Sequence, residues 1–173
     1  MILSIALLAI APDPFPAPKT PTAVLQISCR QGECAWQQIR SIERVSSDGG
    51  EVLRKLTSRA GTSTHGVRRN PPAHYSPRLR IDWERAPKQE HVLCSKRRPT
   101  MVFESDGEFV VTRLGLADLG GYEYAGAALY MQVCHNLAPG RWNEKQIAKL
   151  GYGGKRGQQD RYPTLSAALA SLR

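Results

Sequence analysis

At 173 residues, 41% of them hydrophobic, the chain has room for one domain with a real core and is too apolar for a disordered polymer. A formal net charge of +9 favours anionic partners and says nothing about fold. The charge is regional: residues 65–98 carry +6, residues 99–140 carry −4 and residues 141–161 carry +4, so folding decides whether the basic stretches meet.

The chain opens with an apolar run, ILSIALLAIA at residues 2–11. It is too short for a bilayer span, which needs about 20 apolar residues. It fits the apolar region of an export signal, with Ala9-Ile10-Ala11 at the small-residue spacing of a cleavage site and a cut near Ala23 as the alternative. Residues 12–21 hold five prolines, at 12, 14, 16, 18 and 21, and so exclude a helix or an inner strand. The expectation is a signal peptide and an extended, solvated Pro-rich linker over residues 1–23, then a single domain over 24–173.

Residues 25–29 form the first strand candidate. In residues 34–45, Trp36, Ile39, Ile42 and Val45 recur every three positions, a spacing that suits a helix or a bulged strand. The turn sequence Ser46-Ser47-Asp48-Gly49-Gly50 and the extended pattern of residues 51–58 favour a hairpin. Residues 59–77 read as a long loop rich in Gly, Ser, Thr, Asn and Pro. Leu79, Ile81 and Trp83 then alternate with Arg80, Asp82 and Glu84, a half-buried strand. Further strands are expected at 91–95, 100–104 and 108–114, the last two joined by an Asp106-Gly107 turn.

The period changes after Gly120-Gly121. Ala125, Ala128, Leu129, Val133 and Leu137 fall at helical spacing within residues 122–137, and Pro139-Gly140 stops that helix. A short helix at 142–150, a loop to residue 160 and a closing helix at 164–172 complete the reading. Strands before helices imply an α+β fold: an antiparallel sheet of about five or six strands with two or three C-terminal helices on one face, stapled by disulfides.

Four cysteines in an exported chain allow three disulfide connectivities. Cys29–Cys34 and Cys94–Cys134 are favoured, the first closing a tight loop turned by Gly32, the second tying a strand to a helix. On the chain-entropy account these links contribute about 2 and about 4 kcal/mol.

Three chemistries are weighed at Cys134-His135. Haem attachment needs an earlier cysteine that the run Met131-Gln132-Val133 lacks. A nucleophile pair fails because neighbours on a helix point about 100° apart. A zinc site would need a second pair of close ligands, which Cys94 and Cys134 do not make. No metal or cofactor is therefore expected, and no catalytic residue is nominated. The binding candidates are the dense basic run Lys96-Arg97-Arg98 and the loop pair Arg68-Arg69, with His74, Tyr75 and Trp83 as stacking surface. The expected protein is a periplasmic or secreted, non-catalytic binding module for an anionic envelope polymer or acidic protein. It has no specific nucleic-acid recognition and no transmembrane segment in its mature form. The alternative is a small hydrolase using a histidine and a carboxylate from the loops.

Overall fold

The computed structural model describes residues 14–19, 23–66, 72, 74–119, 123–152 and 157–173. Its strands are β1 (Ala23–Arg30), β2 (Glu33–Asp48), β3 (Glu51–Thr64), β4 (Asp82–Trp83), β5 (Lys88–Cys94), β6 (Thr100–Ser105), β7 (Glu108–Arg113) and β8 (Gln159–Tyr162). Its helices are α1 (Tyr124–His135), α2 (Glu144–Lys149) and α3 (Leu165–Ala170). The strands form one antiparallel sheet in the order β1-β2-β3-β5-β6-β7-β8, with β4 pairing β3 off this path. The sheet thus has eight strands where five or six were expected.

Three two-residue turns build most of it. Gln31-Gly32, Gly49-Gly50 and Asp106-Gly107 all have positive φ at both positions, the conformation whose twist matches the strands it joins. The first places Cys29 opposite Cys34 in the β1–β2 register, where they are disulfide-bonded. The period-three pattern of β2 has a local cause. An extra residue between Ile39 and Ser41 bulges the strand, so Ile39 and Ile42 face the same core although three positions apart.

β3 runs on to Thr64, taking in residues 59–64 of the expected loop. Gly61 explains β4: a Cβ there would lie 2.5 Å from the Trp83 ring and 2.7 Å from the Ile81 side chain, so only glycine lets this segment lie against β3. The Arg59 guanidinium stands 5.1 Å from the centre of the Trp83 ring. β8, expected as loop, is a four-residue edge strand with an exposed, polar alternation too short to signal itself.

Helices cover both faces of the sheet, not one. Leu25, Ile39, Val52, Leu56, Val92 and Met101 meet α1 together with Ile147 of α2 and Trp142. Leu93, Val102 and Val111 point the other way and meet Ala168 and Leu172 at α3. The second disulfide, Cys94–Cys134, joins the end of β5 to α1. α2 and α3 are capped by Asn143 and Thr164, whose side chains accept the N–H groups of Gln146 and Ala167.

Residues 14–19 are not a free linker. Pro14 and Pro16 are exposed and Pro18 is half-buried, but Phe15 is fully buried in the α1-side core. The Phe15 and Pro16 carbonyls each accept a 2.8 Å hydrogen bond from Arg54 Nη2, and the Asn136 side chain accepts one of 2.7 Å from the Lys19 backbone N–H. No described helix is long and apolar enough to cross a membrane.

Candidate ligand-binding cleft

The basic run is divided by the fold. Arg98 donates through Nη2 to Glu51 Oε2 at 2.7 Å and through Nε to both carboxylate oxygens, and its Nη1 reaches the Arg173 carbonyl. Arg97 extends into solvent with Glu51 at 3.6 Å. These contacts, the Arg98 hydrogen bond first, hold the Glu51 carboxyl below its ordinary range. Lys96 turns the other way, donating to the Leu150 carbonyl with its ammonium 4.4 Å from the centre of the Tyr152 ring. Arg68 and Arg69 lie outside the described residues, so their relation to this run is not part of the picture.

Beside Lys96 is a buried polar chain. Tyr130 accepts the Ser95 N–H at 2.9 Å, its hydroxyl is 3.1 Å from that of Tyr152, and the Tyr152 hydroxyl is 2.6 Å from His135 Nε2. Burial, with Lys96 and Arg54 nearby, lowers His135 to about 4, which favours the neutral ring. Burial pushes Tyr130 up to about 12 and raises Tyr152 as well. Both tyrosines are buried, so this chain positions α1 and residue 152 without presenting a reactive group. Another histidine, His65, lies 2.8 Å from Ser63 Oγ. That serine is buried, and its oxygen also accepts from Trp36 Nε1 at 2.7 Å, so the pair is closed to a substrate.

The open site lies elsewhere. β5 pairs β3 through seven residues and β6 pairs β7 through six, but β5 and β6 pair only at His91–Val102, Val92–Met101 and Leu93–Thr100. Beyond those three pairs the strands part. On the α3 side the opening is a cleft of about 710 Å³ lined by residues 87–91 and 102–106 with Phe109 and Leu165. On the α1 side it is a cleft of about 410 Å³, whose apolar lining includes Met101, Phe103, Leu114 and Leu129. Gln37, Glu90, Thr112, Glu123 and Gln159 supply its polar groups. Glu90 and Phe103 belong to both clefts.

Glu90 is the distinctive group. Its Oε2 accepts from Gln37 Nε2 at 2.9 Å and from Ser58 Oγ at 3.1 Å. Its Oε1 has no partner among the described residues. Burial raises its carboxyl above the usual carboxylate range, and the bonds from Ser58 and Gln37 only partly oppose this. An apolar cleft with a few convergent polar groups and a perturbed carboxyl is the ordinary form of a ligand site.

The sequence reading passed over Glu90, although a signal was there. It shares its strand face with Val92 and Cys94, which makes it an inward-pointing charge, as Arg54 is between Val52 and Leu56. The fold and cleft define a disulfide-stapled antiparallel-sheet module with an open seam. No protein-family model matches the chain, and it matches no curated protein and no solved structure.

Proposed function

We propose that this protein is an exported, non-catalytic binding module and that the α1-side cleft around Glu90 receives its ligand. The observation carrying this reading is the Glu90 carboxyl, braced on one oxygen by Gln37 and Ser58 and open on the other, in an apolar cleft. Such a site suits a ligand with an apolar body and a donor or cationic head, because a buried carboxylate needs a partner. The two disulfides support an oxidising destination, periplasmic or secreted. Octylamine serves as a probe: NMR shifts at Leu129, Met101 and Glu90 should saturate on titration, and Glu90→Gln should weaken binding at least tenfold. Equal binding by wild type and variant would overturn the assignment.

A second reading keeps the anionic partner. Arg78, Arg80 and Arg85 are exposed and without an ion pair among the described residues. Tyr75, 43% exposed, lies in the same segment. This segment supports an anionic polymer better than the run at 96–98, where Glu51 already neutralises Arg98. Retention on dextran sulfate should fall steeply with salt and drop when all three arginines become Gln. Retention independent of both would remove this reading.

A further inference from the structure

Among the described residues three large apolar side chains are exposed: Val45, Tyr75 and Tyr124. The two tyrosines line one cleft, of about 610 Å³, together with residues 24–28 of β1, His74 and the turn at residues 138–140. Each is braced by a buried indole. Tyr124 stacks on Trp142, with ring centres 5.2 Å apart and planes 28° apart. Tyr75 meets Trp36 edge-on at 6.4 Å, and Trp36 is itself fixed by its hydrogen bond to Ser63. Exposed rings braced in this way lose little freedom when a ligand covers them.

The cleft also differs from the others in charge. Its described lining holds no Asp or Glu, whereas the clefts beside β5 and β6 hold Glu90, Glu104, Asp106 and Glu123. Glu123 precedes Tyr124 in the chain but is buried. Arg141 follows the lining residue Gly140, in a turn closed by its own N–H donating to the Ala138 carbonyl at 3.0 Å. Arg78 follows Tyr75 within a second turn, closed by the Leu79 N–H donating to the Ser76 carbonyl at 2.9 Å. Both arginines are exposed and in no ion pair among the described residues.

We propose that this cleft binds an acidic polysaccharide, with a sugar ring on the tyrosines and its acidic group toward Arg78 or Arg141. The face of an aromatic ring is electron-rich and attracts the polarised C–H bonds of a pyranose, while the tyrosine hydroxyls can exchange hydrogen bonds with sugar hydroxyls. A guanidinium matches the flat carboxylate of a uronic acid in a bidentate pair. A cationic ligand would also suit the ring faces, but it finds no carboxylate in the lining and two guanidinium groups beside it. This inference rests on the anionic-polymer reading above and names its site and polymer class; it does not draw on the Glu90 cleft.

The test uses the full chain in calorimetric titrations with three probes: a hexuronate from alginate, hexaglutamate and maltohexaose. The hexuronate should bind, and the other two should each bind about tenfold more weakly, since one lacks the sugar ring and the other the charge. Tyr75→Ala with Tyr124→Ala should cost the hexuronate about tenfold and leave its salt dependence in place. Tyr75→Phe with Tyr124→Phe keeps both rings and should stay within about threefold of wild type. Arg78→Gln with Arg141→Gln should flatten the salt dependence and remove the preference for hexuronate over maltohexaose. Hexaglutamate binding as tightly as hexuronate, or an alanine pair that binds like wild type, would overturn the site. So would a phenylalanine pair that falls as far as the alanine pair. If dextran sulfate is still retained in those cases, the anionic-polymer reading stands without this cleft. If no anionic polymer binds, both fall.

Discussion

On the α1 side of the sheet, Arg54, Tyr130 and Tyr152 are buried with their polar groups joined, and a disulfide crosses from strand to helix. On the α3 side the cover is an apolar patch of Leu93, Val102, Val111, Ala168 and Leu172. An apolar patch accepts many arrangements of similar volume. A buried polar chain accepts few, since displacing one member strands the others without water. The α1 side therefore fixes where the helix sits, while α3 chiefly keeps the second face dry. The open seam lies between strands whose other edges are firmly paired, so the cleft has rigid walls.

The comparison breaks most readily at Arg54. Replacing it with Ala leaves the Val133, Phe15 and Pro16 carbonyls without their donor and opens a void at full burial. The expected loss is about 3–5 kcal/mol in urea unfolding, as for other broken buried charge sites. Arg54→Met, which keeps the volume, should recover part of it. Next is the Cys94→Ala, Cys134→Ala double variant, expected to lose about 4 kcal/mol with slowed exchange protection lost across α1 and β5 together. Leu172→Ala on the opposite face should cost about 2 kcal/mol at its edge position, with hydrogen-exchange changes confined to α3 and the strands it covers, β5 to β8. If its effects spread to α1, the two faces are one cooperative unit and the contrast fails.

A separate test is a pH slope. His135 is held down to about 4 in the fold against an ordinary value near 6.5, so the unfolded chain takes up a proton first as pH falls. Stability should decline from about pH 6.5 to about pH 4 on this account, and His135→Gln should flatten the decline. Glu90, with its carboxyl raised by burial, acts in the opposite sense: it favours the fold as pH falls toward its protonation. Glu90→Gln removes that opposing contribution; His91, lowered by burial, and Glu51, lowered by Arg98, act in the same sense as His135, so the share of His135 is the difference made by adding His135→Gln. An unchanged slope in the double variant would place the acid sensitivity elsewhere.

Much of the fold was legible because it is local. Asp106-Gly107 and Gly49-Gly50 declare their turns by residue type, and the cysteine spacing favoured the pairing the structure holds. Val92-Leu93-Cys94 and Met101-Val102-Phe103 are unbroken apolar runs, the pattern of strands covered on both faces. Read that way, they point to helices on two sides, whereas the order of strands and helices alone suggested one. β8 was hidden because residues 159–162 pair at the sheet edge and show neither apolar alternation nor turn chemistry. The seam was not legible at all. It depends on how far β5 and β6 stay in register, and register loss is a tertiary property with no residue that announces it.

The anchoring of residues 14–19 limits how the chain can be trimmed. A cut after Ala23 would carry away Phe15 and two of the carbonyls that hold the Arg54 guanidinium, leaving a hole and a buried cation short of two acceptors. A cut beside Ala11 would spare both. Any proteolytic maturation compatible with this interior would fall upstream of Pro14, and the proline-studded stretch would stay on the processed chain as its first seal.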